Sequence, residues 1–513
     1  MDAIGLSLFS SQIESVCDEM GAVLKRVAFS PNIKDRLDFS CAVFDPRGEL
    51  CAQAAHIPVH LGSMAYAMKD IVAGIEWLDG DMVILNDPYL GGTHLPDVTV
   101  IAPLFVDQQC AGFVVNRAHH ADIGADSPGS MPISKDLHEE GMLIPPTKIL
   151  QKGEWQQPVI ERLQAAMRNP VESMGDFRAQ ISACQRGLQR LRELVEKQGV
   201  SQYLQALEDL NQYAKRLAVT ALGDIADGEY VFEDVMDDDG LGHRDISIKI
   251  ALTIKQGQVV ADFSGTSAQV AGNINCPLSV AAAAVYYVFR CLMPEQTPAC
   301  AGSFKSIRIS APAGSLVNAN RPAAVAAGNV ETSTRIVDVV MGALVQAIPS
   351  KMAAASHGSM NNIAMGYRGD KDHPAWDYYE TIGGGMGASI NQPGLDGVQT
   401  HMTNTLNTPV EALEMRYPIR INQYALRRNS GGEGKHQGGD GLVREYEFLR
   451  PAHVTLLTER RRSQPWGILS GKPGQAGENF LNNQPLPAKV SLDLKIGDRI
   501  MIKTPGGGGY SSS

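Results

Sequence analysis

Three of the twelve histidines in this 513-residue chain fall within 27 positions, from His94 to His120. Asp97 lies between them and Asp122 follows, in the stretch NDPYLGGTHLPDVTVIAPLFVDQQCAGFVVNRAHHAD from Asn86 to Asp122. A buried divalent cation needs such a set, with imidazole and carboxylate groups converging from the ends of rigid elements. Pro96 argues against a helix between His94 and Asp97, so these two share a turn into a strand over 98–106. His119 and His120 end the next strand, where alternation sends their side chains to opposite faces and leaves one of them to meet the same ion. If 98–106 and 111–118 form a hairpin, Asp97 and His119 lie at its same open end.

A fourth ligand must come from elsewhere in the chain. Asp38, in RLDFSCAVFD, is the best placed carboxylate, with Asp35 and Asp87 as competitors. Two imidazoles with two carboxylates suit Mn²⁺, Fe²⁺ or Zn²⁺ rather than Mg²⁺ or Ca²⁺, which favour all-oxygen shells. Polar turn residues that merely cap strands would give a similar composition, so strand-end geometry is what separates the two readings. His56 and His60 precede a helix and line a pocket or pack beneath its start. Glu139 and Glu140 are candidates for a general base or for a partner to a ligand imidazole, against simple solvent exposure.

The elements that must position these groups are legible in outline. Ile13, Val16, Met20, Val23, Leu24 and Val27 mark an amphipathic helix over 8–29. SCAVFDPRGELCAQ reads as strand, turn and strand, and 61–78 as a helix. From about 154 to 222 the pattern is mostly helical, with a core stripe at Ile181, Cys184, Leu188, Leu191 and Val195. Strands follow at YVFEDVMDDDG, DISIKIALTI, QVVADFSGT and SIRISAPAG, then helices at 277–292 and 332–348. YEFLRPAHVTLLTER reads as two strands around a turn, and DLKIGDRIMIKTPGGGGY as a closing hairpin with a glycine-rich tail. The expected fold is α+β: a multidomain, mixed α/β chain with an N-terminal α/β metal-binding and helical region over 1–223. A β-rich, glycine-rich region follows over 224–513, with a possible subdivision near 350.

Composition excludes several classes. The formal net charge of −11, with no basic patch, argues against nucleic-acid binding. Eight scattered cysteines without a CxxC fit buried apolar positions in a reducing compartment. The acidic N-terminal segment is unlike a signal peptide, and apolar runs are too short to span a bilayer, so a cytoplasmic location is expected. The 51 glycines cluster in strings such as GGGMG and PGGGG, none of which forms a P-loop or a dinucleotide-binding fingerprint. A GxSxG nucleophile elbow is missing as well.

RLDFSCAVFDPRGEL, HIPVHLGSM, GDMVILNDPYLGGTHLPDVTV, NRAHHADIG, DFSGTSAQVAGNINCP, NANRPAAVAAGNVETS, NTPVEALEMRYPIRI, RRNSGGEGKHQGGDGLVREYEF and TPGGGGYS run in this order along nearly the whole chain. In these stretches the sequence resembles the hydantoinase B/oxoprolinase family. This family comprises β-type subunits of ATP-dependent hydantoinases and oxoprolinases, with relatives in acetone and acetophenone carboxylases and an ATP-dependent lactamase. The resemblance implies a kinase-like partner subunit of the hydantoinase A/oxoprolinase type, in an α₂β₂ assembly. That partner, not this chain, would bind ATP and phosphorylate the substrate.

The resemblance also implies one divalent ion (Mn²⁺, Zn²⁺ or Fe²⁺) on Asp38, His94, Asp97 and His119, with His120 and Asp122 in supporting positions. Water activated there would open a hydantoin, 5-oxoproline or lactam ring. His120, Glu139 or Glu140 would move protons and Arg117 would hold the phosphate. The alternatives are a ketone-carboxylase subunit, a non-catalytic scaffold for the kinase-like subunit, and a metallohydrolase acting alone.

Overall fold

A computed structural model describes residues 3–54 and 56–511. The chain is a mixed α/β protein built on several sheets. The first sheet has seven strands: β1 (Phe39–Phe44), β2 (Leu50–Gln53), β3 (Met82–Leu85), β4 (Asp97–Val106), β5 (Gln109–His119), β6 (Thr147–Gln151) and β7 (Glu154–Trp155). They lie in the order β2-β1-β5-β4-β3-β6-β7, every neighbour antiparallel. The expected hairpin is thus real, and β1 adds to its outer edge.

Strand alternation assigns the two faces of this sheet. Phe39, Cys41 and Val43 of β1, Val98, Val100 and Ala102 of β4, and Val114 and Ala118 of β5 join one core with helices Ala3–Val27 and Pro170–Gln198. That core includes Ile181, Cys184, Leu191 and Val195 of the anticipated stripe, with Leu188 packed at its margin. Ala42, Phe44, Ile101, Phe113 and Val115 point the other way. They meet helices Pro58–Ala73 and Leu278–Cys291. Pro58 stands in the first turn of its helix, where a missing N–H costs nothing, so this helix begins earlier than the apolar spacing indicated.

Beyond these helices lies a second sheet of β8 (Gly228–Asp238), β9 (Arg244–Lys255), β10 (Gln258–Asp262) and β11 (Ile307–Ser310), in the order β11-β10-β9-β8. Helix Ser333–Val345 packs on β8, β9 and helix Leu278–Cys291. A π-helical turn, Gly328–Thr332, leads into it. Ile248, Ile250 and Leu252 of β9 share one apolar core with Phe113 and Val115 of the first sheet.

The C-terminal part holds two further sheets, bears out two strands around a turn at YEFLRPAHVTLLTER, and departs from the expected closing hairpin. Gly441–Phe448 and Ala452–Leu457 are both strands, yet the first pairs with Ile419–Arg427 and Arg499–Lys503, the second with Asn362–Tyr367 and Lys489–Leu494. Lys489–Leu494 and Arg499–Lys503 likewise enter different sheets. In each case the short turn passes the chain between sheets instead of folding it back, because both strands carry apolar residues into one shared core. The Gly506–Gly509 string is no loose end. Its backbone exchanges hydrogen bonds with Gly432, Gly439, Ala355 and Lys472 at 2.8–2.9 Å. Among the described residues, no helix is long and apolar enough to cross a membrane.

Candidate metal centre

The local sequence builds the corner that carries His94. Asp87 caps the short turn Pro88–Leu90 through Tyr89 N–H, and Gly91 follows with φ 84°. A Cβ on Gly91 would stand 1.9 Å from that of Ala67, so both the backbone conformation and the space require glycine. Asn86 ties the two ends of this loop together by donating to Leu95 C=O at 2.8 Å and accepting from Ile144 N–H at 2.7 Å. Asp97 N–H then closes a turn onto His94 C=O at 3.2 Å, and β4 begins.

His94, Asp97 and His119 come together there, fully buried, with ligand-competent atoms all within 4.8 Å of one another. Asp97 and His119 are directly opposite in the β4–β5 ladder, and His119 N–H donates to Asp38 C=O from the end of β1. Asp97 and His119 on adjacent strands, and Asp38 just before β1, therefore meet at one end of the sheet. His94 Nε2 is 3.2 Å from Asp97 Oδ1, and His119 Nδ1 is 3.9 Å from it. Asp38 sits at the margin, its Oδ1 4.0 Å from His60 Nε2 and its Oδ2 3.7 Å from Arg36. Asp87 is instead spent on its cap and a contact with Arg321. Asp35 ends the short helix Pro31–Lys34, donating its N–H to Pro31 C=O.

Electrostatics favour the ligand-competent forms of Asp97 and His119, and hydrogen bonding orients His94. His94 Nδ1 donates to Ala326 C=O at 3.2 Å, which leaves the Nε2 lone pair facing Asp97. Burial works against charge on His94, but the Asp97 carboxylate outweighs it and raises the imidazole pKa. Burial pushes His119 down to about 4, so this ring is neutral at pH 7. Asp97 stays ionised: burial opposes its charge, yet His60 and His94 hold its pKa well below the ordinary value. His119 Nε2 and Asp97 Oδ1 are buried without a hydrogen-bond partner among the described residues. Such orphaned acceptors are costly unless a further group meets them, and two nitrogens with carboxylate oxygen suit a borderline divalent cation.

Other residues brought to the group were less visible in the sequence. His60 Nε2 lies 3.2 Å from Asp97 Oδ2, while His56 lines a separate cleft with Tyr287 and Arg290. His56 instead accepts a backbone bond from Cys41 N–H at 3.1 Å. Thr93 Oγ1 also donates to Asp97. Asn329, from the π-helical turn, places its amide nitrogen 3.1 Å from His94 Nε2 and 3.3 Å from Asp97 Oδ2. Tyr379 stacks on His119, ring centroids 4.7 Å apart and planes 1° from parallel. A polar Asn-Val-Glu-Thr run opening an otherwise apolar helix was the only sequence signal for Asn329, and Tyr379 had none.

Four anticipated participants are elsewhere. His120 leaves on the opposite face, where its Nε2 meets Gln180 at 2.9 Å and its ring packs on Phe177. Glu139 is exposed and accepts from Lys135 N–H. Arg117 is a buried strut rather than a phosphate clamp: it donates to Ser63 Oγ, Thr99 Oγ1 and Gly91 C=O at 2.6–2.9 Å. Asp122 orders the following turn by accepting from Gly124, Arg168 and Asn169 N–H groups. Glu140 acts at one remove. Its buried Oε1 accepts from Ser134 Oγ and from the N–H groups of Val325 and Ala326, fixing the segment whose carbonyl orients His94.

With this geometry in view, the comparisons with known proteins are coherent. Residues 2–513 match the hydantoinase B/oxoprolinase family, and the chain belongs to it. It is 40% identical to an uncharacterized protein of Methanocaldococcus jannaschii, covering all of this chain and 91% of that one. It is 39% identical to 5-oxoprolinase 1 of Arabidopsis thaliana, there spanning all of this chain but only 42% of the relative. A Pseudomonas protein named as one subunit of a D-/L-hydantoinase is 31% identical, with 100% of this chain and 90% of that one covered. Among solved structures, the ATP-dependent caprolactamase of Pseudomonas jessenii superposes with a TM-score of 0.92 at 27% identity, over 100% of this chain and 91% of that one.

Proposed function

We propose that this chain is the hydrolytic subunit of an ATP-dependent cyclic amidohydrolase, acting on a hydantoin, 5-oxoproline or lactam ring phosphorylated by a separate kinase-like subunit. The observation that carries this reading is the buried His94–Asp97–His119 group, flanked by Asp38, in a chain of this family. Oxoprolinase, hydantoinase and caprolactamase are all named for cyclic amides. An unstrained amide is a poor electrophile, which gives ATP coupling a chemical purpose. That the hydantoinase relative is named as one subunit of its enzyme supports a partner.

His94, Asp97, His119 and Asp38 are the residues that would hold a divalent ion. When bound, such an ion supplies Lewis-acid activation of water near neutral pH. The chain's own contribution is orientation. Ala326 C=O fixes the His94 tautomer, while Thr93, His60 and Asn329 hold the Asp97 carboxylate. Proton transfer, assigned from sequence to His120, Glu139 or Glu140, passes in this reading to His60, whose Nε2 lies between Asp97 and Asp38.

The test is reconstitution with the ATP-binding partner and assay on hydantoin, 5-oxoproline and lactams, with and without bicarbonate. Ring opening that needs ATP and the partner, and not bicarbonate, is the expected result. Bicarbonate-dependent carbon–carbon bond formation would replace this reading with a carboxylase, and turnover by this chain alone would reject the two-subunit scheme.

A further inference from the structure

His119 is the least anchored member of the candidate centre. Its Nε2 has no hydrogen-bond partner among the described residues, and its Nδ1 stands 3.9 Å from Asp97, beyond hydrogen-bond length. What fixes the ring plane is therefore ring contact: an edge approach from His94, centroids 5.1 Å apart, and the flat face of Tyr379. Tyr379 is itself held at both ends. Its carbonyl accepts from Arg36 at 2.7 Å, and that guanidinium also lies over its ring. Its hydroxyl donates to Asn362 Oδ1 at 2.6 Å. Asn362 Nδ2 donates in turn to Glu331 Oε1 at 2.6 Å and to Leu457 C=O at 2.8 Å. Glu331 is fully buried in the π-helical turn and also accepts from Met360 N–H at 3.0 Å.

We infer that Tyr379 is a positioning residue for the His119 imidazole, clamped in its stacked orientation by Asn362 and Glu331. The inference rests on the metal reading above. An amide interrupts the chain, so it is a mechanical linkage rather than a proton path. One π-helical turn thereby serves both sides of the centre: Asn329 meets His94 and Asp97, and Glu331 reaches His119 through two side chains. Single π-helical turns recur at functional sites. Burial, with Glu459 close by, pushes the Glu331 carboxyl up to about 8, so the neutral amide of glutamine is a close replacement at pH 7.

The test is calorimetric titration of Mn²⁺ or Zn²⁺ into the chelator-stripped, full-length chain, with the melting temperature of each metal-free variant as a check on folding. Tyr379→Phe and Glu331→Ala should each weaken Kd by about tenfold, the scale of outer residues that orient ligand imidazoles. Their combination should cost no more than either alone, and Glu331→Gln should restore near wild-type affinity. Tyr379→Phe removes a single oxygen and decides the matter if Glu331→Ala does not fold. A Tyr379→Phe Kd within twofold of wild type, or effects that multiply, overturns the inference while leaving the metal centre intact. A wild-type chain that binds no ion overturns the centre itself, and the inference with it.

Discussion

Asp97 and His119 are the last directly opposed pair of the β4–β5 ladder. A carboxylate and an imidazole thus meet through strand register alone, before any loop contributes. His94 arrives by a four-residue turn, and Asp38 by the neighbouring strand. A centre assembled this way is held by backbone hydrogen bonds, and its geometry should survive the loss of one side chain.

Replacing a ligand should therefore remove the ion without unfolding the sheet. Elemental analysis of wild type is expected to show one divalent ion per chain. His94→Ala and Asp97→Asn should lose it, with activity of the reconstituted pair down by more than about a hundredfold, beyond what outer residues cost. An active wild type free of metal would sink the centre.

Arg117 should matter for stability rather than for phosphate. Its removal leaves Ser63 Oγ, Thr99 Oγ1 and Gly91 C=O without their buried donor. Arg117→Ala is expected to cost about 3 kcal/mol or more in chemical denaturation. Arg117→Lys, which cannot span three acceptors from one fork, should recover only part of this. A phosphate-dependent KM effect at unchanged stability would contradict the strut.

The Glu140 carboxyl is raised to about 7 by burial, which its three hydrogen-bond donors only partly offset. A folded-state pKa above the unfolded one means that the native state holds the proton more tightly. The associated stability is present in full below the ordinary carboxylate range and is lost as pH rises through about 7. Glu140→Gln does not titrate. Denaturation of the metal-free proteins from pH 5 to 8 should show the variant gaining on wild type as pH rises, by up to about 3 kcal/mol. Parallel profiles would rule out the buried proton.

Close packing of glycine backbones should make the Gly506–Gly509 string intolerant of even one methyl group. A Cβ on Gly507 would stand 2.1 Å from Met386 C=O, and one on Gly506 1.9 Å from Ser430 C=O. Gly507→Ala is expected to destabilise by about 3 kcal/mol or to prevent folding. Gly223→Ala, with nothing within 4 Å of its added carbon, should stay within about 1 kcal/mol of wild type. Equal melting temperatures for the two variants would refute the packing argument.

The parts that could be read from the sequence follow local rules. Alternation separated His119 from His120, and a proline with a tight turn placed His94 beside Asp97, because period-two geometry and turn chemistry act over a few residues. What escaped depends on distant segments. Tyr379 reaches His119 from far along the chain, through a strand of another sheet. Arg117, named to hold a phosphate because it is a cation beside the histidine pair, has its buried guanidinium spent on three acceptors from separate elements. The closing hairpin expected at DLKIGDRIMIKTPGGGGY failed for a related reason: a short turn between two apolar strands does not say whether they pair or part.

The glycine string also bears on the order in which the C-terminal part can pack. Gly506–Gly509 fills a slot whose walls are the backbones of segments near 355, 386, 432, 439, 467 and 472. Without residues 506–509, the backbone groups of Gly432, Gly439, Ala355 and Lys472 that bond to them would be left unmatched. Docking of these loops onto one another must then wait for the string. The string thus acts as a late keystone, completing contacts among segments laid down much earlier in the chain.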